Sequence, residues 1–152
     1  MTRRISTQKR FPGKDFKYNN FLVSLLVNRL LKSGKKRLAR RLVYKSFELI
    51  EYRTSQNPLL ILEKAIRNIS PRVQVKSKRI GGTTYQAPIL LNKYRAMNIA
   101  IRWVVEFSKK RSGKGMPAKL ANELLEAAKG MGGSIKKKEE THKMAEANKA
   151  YA

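Results

Sequence analysis

The chain has 152 residues, enough for one domain with a real hydrophobic core and too few to make two domains the expectation. Lys and Arg number 35 against 10 Asp and Glu, a formal net charge of +25, although 41% of the residues are hydrophobic. The sequence therefore predicts a globular cationic protein whose charge is neutralised by a polyanion, and nucleic acid is the first candidate.

Composition also excludes several classes of protein. No apolar run approaches the roughly 20 residues of a membrane span, and no secretory core segment follows the basic N-terminus. Cysteine is absent and His142 is the lone histidine, which excludes disulfides, thiol chemistry and the common zinc sites. The acids are scattered along predicted helices, so no catalytic or metal site assembles. We expect no enzymatic activity and no cofactor.

The chain begins with a basic stretch, residues 1–18. It has no helical period, contains Pro12-Gly13, and holds six basic side chains against one acid. Such a stretch is typical either of a cleavable organelle presequence or of an extension that contacts RNA. We favour the RNA-contacting arm, because the first helix follows almost at once.

Two amphipathic helices follow the arm. The first is capped by Asn19 or Asn20 and ends at Ser33-Gly34, with leucines at three- and four-residue spacing between them. The second, from Lys35 to Arg53, has an apolar and a cationic face. The apolar face comprises Leu38, Ala39, Leu42, Val43, Ser46, Leu49 and Ile50. The cationic face comprises Lys36, Arg37, Arg40, Arg41 and Lys45. Because no acid offsets these cations before Glu48, we interpret this face as phosphate-binding rather than merely solvated.

Asn57-Pro58 opens a third helix that ends at Ser70-Pro71. Residues 72–90 then form the only stretch that is typical of β-structure. Its two halves are rich in Val, Ile, Thr and Tyr and join at Gly81-Gly82, which accept the positive φ angles of a two-residue hairpin turn. Neither face is apolar near the tip, so we expect a protruding ribbon. Its basic residues indicate a polyanionic partner, the alternative being a solvated hairpin whose charged edge prevents aggregation.

Three helices are predicted after the ribbon. The apolar stripe of the fourth comprises Ala96, Ile99, Ala100, Trp103, Val104 and Phe107. We interpret Trp103 as a core anchor rather than a base-stacking residue. Pro117 begins the fifth helix, which Gly130, Gly132 and Gly133 terminate. The sixth, from about Lys136 to Ala150, is polar and has little apolar surface to bury.

Charge is distributed unevenly between the two ends of the chain. Residues 1–115 hold 28 basic and 5 acidic side chains, a net charge of +23, whereas residues 116–152 hold 7 and 5, a net charge of +2. We therefore expect the arm, the second helix, the ribbon and the fourth helix to contact phosphates, and the last two helices to face protein or a movable ligand. Residues 134–152 are expected to be dispensable for the fold and for primary RNA binding.

Five stretches carry a specific similarity. They are Ser33-Gly34-Lys35-Lys36, VKSKRIGGTTYQAP at 75–88, IRWVVEFSKKR at 101–111, LANELLEAAKG at 120–130 and KKKEETHKMAEANKAYA at 136–152. Together they resemble the bacterial-type small-subunit ribosomal protein number seven, from Arg3-Arg4 to Ala150. NPLLILEKAIRNISP at 57–71 and the final stretch are most similar to plastid and cyanobacterial members. The resemblance thus implies a ribosome of the plastid stroma or otherwise of the bacterial cytoplasm.

The resemblance implies a mainly α fold: a bundle of about six helices in residues 19–152, with a protruding two-stranded β-ribbon between helices 3 and 4. It also implies a primary rRNA-binding protein that nucleates assembly of the head on the 3′ major domain. The ribbon would lie near the exit-site tRNA and the mRNA path, and the partners would include neighbouring head proteins and platform protein number eleven. The chain departs from the family by stopping at Ala152, without the usual aromatic and basic tail, and by having Ala87 and Phe107 where Val and Ala are commoner.

The residues expected to contact rRNA are basic side chains of the arm, the second helix, the ribbon and the fourth helix with the loop that follows it. They are Arg3, Arg4, Lys9, Arg10, Lys35, Lys36, Arg37, Arg40, Arg41, Arg72, Lys76, Arg95, Arg102, Lys109, Lys110, Arg111 and Lys114. The residues expected near tRNA and mRNA are Lys78, Arg79, Gly81, Gly82, Thr83 and Tyr85.

Two alternatives stay open. A DNA-binding architectural protein shares the charge but normally needs two-fold symmetry or a groove-reading motif, and an RNA-processing enzyme needs a general base or metal carboxylates.

Overall fold

The computed structural model describes residues 11–151, and this range contains six α-helices and one two-stranded antiparallel sheet. The elements in chain order are α1 (Phe21–Leu30), α2 (Lys36–Thr54), α3 (Pro58–Ile69), β1 (Val73–Ile80), β2 (Thr83–Leu90), α4 (Lys93–Lys110), α5 (Met116–Ala128), α6 (Gly133–Ala147) and a short 3-10 helix (Lys149–Tyr151). The predicted mainly α fold with a ribbon between the third and fourth helices is confirmed. Within the described range, no helix combines the length and apolarity needed to cross a bilayer.

Three helices begin at asparagine caps, two of which the sequence predicts. The Oδ1 atoms of Asn20, Asn57 and Asn92 each accept a hydrogen bond from the backbone N two residues later, at 2.8, 2.9 and 3.0 Å. These bonds satisfy amides that have no partner within the first helical turn. Asn19 has a left-handed backbone, with φ of 45°, so Asn20 is the cap of α1.

The core lies among α1–α5, and α5 is central because it packs against α2, α3 and α4. Fully buried large side chains come from each of these five helices: Leu26, Phe47, Ile50, Leu62, Ile69, Ile101, Leu120 and Leu124. The helical periodicity of the sequence locates most of this core, but the exact face differs in two helices.

On α2 the buried stripe is rotated from the predicted one. It runs through Ala39, Val43, Phe47 and Ile50, and Phe47, which is not part of the predicted stripe, is fully buried. Leu38, predicted to be in the core, is 49% exposed. Apolar residues on two adjacent rows of a helix do not by themselves show which row faces inward. Here the position of the neighbouring helices decides it.

The stripe predicted for α4 is also rotated. Ile101 and Val105 are buried, whereas Ile99 and Phe107 are partly exposed. Trp103 is partly buried and packs against the outside of the core cluster. The prediction that Trp103 is a core anchor is therefore only half right, because the indole lies at the edge of the core.

The ribbon has the predicted two-residue turn. Ile80 pairs with Thr83, and the two intervening residues, Gly81 and Gly82, have φ angles of 55° and 89°. Both residues of such a two-residue turn are left-handed, a conformation that glycine adopts without steric cost. The ribbon end nearest the turn is exposed, while Ala87 near the base is buried.

The ribbon base rests on α6, which gives the hairpin a partner inside the protein. Nε2 of His142 accepts a hydrogen bond of 3.2 Å from the backbone N of Arg72, just before β1. Nearby, Nζ of Lys138 donates a 2.7 Å bond to the backbone oxygen of Asn68. His142 therefore has a structural role in docking α6.

Helix α6 begins at Gly133, three residues earlier than predicted. A Cβ atom at Gly133 would overlap the ring of Phe107, so the absence of a side chain allows the helix start to lie against that ring. The helix buries four residues, Ser134, Ile135, Thr141 and Ala145. Only two of these are apolar, which agrees with the predicted shortage of apolar surface.

Candidate nucleic-acid interface

The cationic face of α2 is exposed, as predicted for four of its five residues. Lys36, Arg37, Arg41 and Lys45 are exposed and have no carboxylate partner within residues 11–151. The fifth residue, Arg40, is partly buried, and its Nε lies 3.7 Å from Oδ1 of Asp15. The prediction that no acid offsets this face before Glu48 is therefore wrong at Arg40.

Asp15 offsets Arg40 because part of the predicted arm folds against α2. The Asp15 carboxylate is buried, and its Oδ2 accepts hydrogen bonds from the hydroxyl of Tyr44 at 2.7 Å and from the backbone N of Lys17 at 3.1 Å. Tyr18 packs edge-on against the rings of Tyr44 and Phe47. These contacts fix the end of the basic stretch on the helix bundle. The predicted sites at Arg3, Arg4, Lys9 and Arg10 lie outside the described residues.

A cavity of about 250 Å³ lies between this folded segment and the start of α2. Its wall includes the side chains of Lys14, Lys36, Arg40 and Asp15, three cations against one carboxylate. Lys14 was not among the predicted contacts, although its place beside Pro12-Gly13 in a basic stretch was a usable signal. The arrangement extends the cationic surface of α2 onto the preceding segment.

A second row of cations runs along α4. Arg95, Arg102 and Lys109 are seven residues apart, so they lie on one side of the helix, and all three are exposed. Lys110 is exposed too, but its Nζ bonds to Oε1 of Glu106 at 2.9 Å. That hydrogen bond lowers the pKa of Glu106. Lys110 is therefore a partly neutralised member of the predicted set.

Arg111 is the clear exception among the predicted RNA contacts. Its Nε donates to Oε2 of Glu123 at 2.6 Å, its Nη1 donates to Oε1 of Glu126 at 2.7 Å, and its Nη2 bonds to Oε2 of Glu126. The hydrogen bonds that Arg111 donates to Glu126 lower the pKa of Glu126 and raise the pKa of Arg111. With three donors engaged inside the protein, Arg111 joins helices, and most of its hydrogen-bonding capacity is used within the protein.

Glu123 completes this internal network and was missed by sequence reasoning. Its side chain is 1% exposed. Besides the Arg111 bond, its Oε1 accepts hydrogen bonds from the backbone N of Ser134 at 3.1 Å and from the Ser134 hydroxyl. Arg111 follows α4, Glu123 is in α5 and Ser134 is in α6, so the network links three helix segments. The sequence indicates its burial only indirectly: Glu123 lies on α5 next to Leu124 and one turn after Leu120, both of which are core residues.

The ribbon presents the remaining predicted cations. Arg72, Lys76, Lys78 and Arg79 are exposed, and Lys78 pairs across the strands with Tyr85, which brings a cation and a ring to the same face. Gly81, Gly82 and Thr83 form the exposed tip.

Lys35 and Lys114 are exposed in the loops before α2 and α5. Within residues 11–151, the predicted cations are therefore exposed, except that Arg40 is partly buried beside Asp15 and Arg111 is partly buried and bound to Glu123 and Glu126. Among residues 11–151 no cluster of three or more His, Cys, Asp and Glu forms a metal site.

The comparisons with known proteins cover nearly the whole chain. The family model described as ribosomal protein S7p/S5e matches residues 1–149. Small ribosomal subunit protein uS7c of Trieres chinensis is 52% identical over 144 residues, which are 95% of this chain and 91% of that protein. Small ribosomal subunit protein uS7 of Thermosynechococcus vestitus is 50% identical over 152 residues, and that of Synechococcus elongatus 51%, in each case over 100% of this chain and 97% of the relative.

Proposed function

This chain belongs to the ribosomal protein S7p/S5e family, and on that premise we propose that it binds small-subunit rRNA directly and nucleates assembly of the head. Its relatives are small-subunit ribosomal proteins, so the chain is a structural constituent of the small ribosomal subunit, in a ribosome of plastid or cyanobacterial type. A structural role of this kind is not enzymatic. The proposed RNA target is the 3′ major domain of the small-subunit rRNA.

The unpaired cations of α2 are the observation that best supports direct RNA binding. Four exposed cations within ten residues of one helix repel one another unless phosphates neutralise them. The row on α4 and the loop cations Lys35 and Lys114 supply further exposed positive charge, and Lys35 and Lys109 line one groove. Phosphate contacts of this kind position a protein on RNA, and base contacts then specify the site.

We propose further that the ribbon tip lies beside the exit-site tRNA and the mRNA path. The tip is exposed and basic, and it extends away from the helix core through the ladder from Val73 to Leu90. The α6 side of the molecule, whose net charge is small, is assigned to protein contacts with head neighbours and platform protein number eleven. We also expect α6 to influence the tRNA site, because it contacts the base of the ribbon.

Direct binding is tested with the purified chain and a transcript of the 3′ major domain, compared with duplex DNA of matched length at equal salt. We expect preference for the transcript, and if six phosphates are engaged, affinity should fall about a thousandfold between ~50 and ~200 mM salt. Equal affinity for the DNA would favour an architectural DNA-binding protein. Cofractionation of the chain with small subunits in the source extract, resistant to moderate salt, is the corresponding test in the cell.

The ribbon assignment is tested by crosslinking, which the absence of cysteine makes simple. A Lys78→Cys variant carries one thiol, to which a photoreactive group is attached before incorporation into small subunits. We expect crosslinks to tRNA bound in the exit site and to mRNA. A Lys129→Cys variant, at the exposed end of α5, is the matched control and should give none. Similar crosslinking from both positions would contradict the assignment.

A further inference from the structure

A groove of about 430 Å³ lies where the α1–α2 loop, the start of α2, the end of α4 and the start of α5 meet. Leu38, Leu42 and Met116 contribute apolar side chains to it. Leu38 is 49% exposed, and Leu42 and Met116 are partly exposed. This surface, which we call the Leu38 groove, therefore leaves apolar side chains open to solvent in the middle of a cationic region.

Cations surround this apolar floor. Lys32, Lys35 and Lys109 line the groove, all three are exposed, and none has a carboxylate partner in the described part of the chain. Among residues 11–151 no acidic side chain lines the groove, and Ser33 adds a hydroxyl. An occupant must therefore offer both an apolar surface and negative charge. Charge complementarity excludes a purely apolar or a basic segment, because such an occupant would leave three neighbouring lysines without counter-charge.

We propose that the Leu38 groove holds one unstacked nucleotide of the bound rRNA, with its base against the apolar floor and its adjoining phosphates on the lysines. An unstacked nucleotide has the required composition, since its base has an apolar face and its phosphates are negative. The proposal rests on the proposed rRNA binding and deepens it. It assigns a base-contacting role to Leu38, Leu42 and Met116, and adds Lys32 to the phosphate contacts.

The test uses the full chain and the 3′ major domain transcript, without any other protein. Leu38→Gln changes no charge. It should weaken binding about fivefold at fixed salt without altering the salt dependence, because covering a half-exposed leucine releases no counterions. Leu60→Gln is the matched control, since Leu60 is 63% exposed on α3, outside the groove, and this variant should bind as the parent does. Lys35→Gln with Lys109→Gln should instead reduce the slope of log affinity against log salt by about 0.7 per lysine.

Chemical probing of base edges at saturating protein provides a second readout that does not depend on the affinity of any variant. One unpaired base, or two neighbouring bases, should be protected by the parent and by Leu60→Gln. The same bases should become reactive with Leu38→Gln and with the double lysine variant, whose apolar floor is intact. The proposal is overturned if Leu38→Gln matches Leu60→Gln in affinity and neither groove variant exposes a base. The groove would then fit an acidic segment of a neighbouring protein.

A failure of this inference differs from a failure of the proposed function. If the chain did not bind rRNA directly, the parent protein itself would show no preference for the transcript over duplex DNA. If only the inference is wrong, the parent binds the transcript tightly, and the parent and Leu38→Gln protect the same bases from chemical modification.

Discussion

The α2 surface and the α4–α5–α6 junction use arginine in opposite ways. Arg37 and Arg41 are exposed on α2 without an acid beside them, whereas Arg111 donates hydrogen bonds to Glu123 and Glu126 and is 22% exposed. The two surface arginines are available to bind phosphates. In the free protein they repel each other, which destabilises the helix. Arg111 has no free charge of this kind. Charge in the sequence therefore indicates a partner, but packing decides whether that partner is RNA or the protein itself.

Replacing Arg111 should give the largest change in stability. Arg111→Met leaves the Glu123 carboxylate buried without its cation, which should lower the free energy of unfolding by about 3–5 kcal/mol. Urea unfolding followed by circular dichroism measures it. Lys110→Met, at the exposed pair with Glu106, should cost less than about 1 kcal/mol. A stable Arg111→Met protein that binds RNA weakly would reverse the comparison and restore Arg111 as an RNA contact.

Reversing charge on α2 should weaken RNA binding and leave stability unchanged, whereas replacing Arg111 should mainly lower stability. Arg37→Glu with Arg41→Glu should reduce affinity for the rRNA transcript about a hundredfold and leave the unfolding transition nearly unchanged, because both residues are exposed. The matched control is Lys136→Glu with Lys143→Glu, which makes the same charge change on exposed positions of α6. Affinity should fall far less there. Equal losses from the two double variants would mean that net charge, and not the α2 surface, drives binding.

Ser134 provides a second test of the α4–α5–α6 junction, because it donates hydrogen bonds to the same Glu123 carboxylate. Ser134→Ala removes the hydroxyl bond to the buried Glu123 carboxylate and should cost about 1.5–3 kcal/mol. Ser108→Ala is the matched control: Ser108 is equally buried, but its hydroxyl bonds only to the Val104 carbonyl within its own helix. We expect that change to cost less than about 1 kcal/mol. Similar costs in urea unfolding would show that Glu123 does not depend on α6.

This result also bears on the predicted dispensability of residues 134–152. A truncation at that point removes both Ser134 donors of Glu123 and the His142 contact with the ribbon base. We compare the rRNA affinities of Ser134→Ala and of the truncated protein. Equal losses would indicate that the Ser134 bonds to Glu123 are what matters, whereas a larger loss on truncation would indicate a contact made by the rest of residues 134–152.

The smallest expected effect is a pH dependence of α6 docking. Burial lowers the pKa of His142, and the neighbouring cations Lys138 and Arg72 lower it further, against an opposing effect of Glu146. Because the folded-state pKa lies below the unfolded value of about 6.5, the stabilisation is complete above pH 6.5 and is lost as the pH falls through the folded-state pKa. His142→Gln keeps an acceptor but does not titrate. Its free energy of unfolding should change less than that of the parent between pH 7.5 and 5.5, and parallel pH profiles would contradict the prediction.

The sequence predicted the architecture because its signals are local. Asn57-Pro58 opens a helix, Gly81-Gly82 makes a two-residue turn, and leucine spacing marks the amphipathic helices. Each of these depends on only a few adjacent residues. The basic surface was likewise readable from charge that acids in the same stretch do not offset.

Other features depended on residues distant in the chain. Leu38 and Phe47 are nine residues apart, which places them on opposite sides of α2, and only the packing of α5 and α1 decides which side is buried. Phe107 requires Gly133 beside it, 26 positions later, which shifts the start of α6. No local pattern contains that information.

The sequence by itself thus determined the helices, the ribbon and the excess of positive charge, since propensity, turn chemistry and net charge are properties of short segments. Tertiary structure alone decided which charges are free. Arg40 is drawn to Asp15 from the N-terminal segment, and Arg111 is bound by Glu123 and Glu126 across a loop. The physical reason is that a buried carboxylate needs a cation within hydrogen-bonding distance, and which cation meets it depends on how the helices pack.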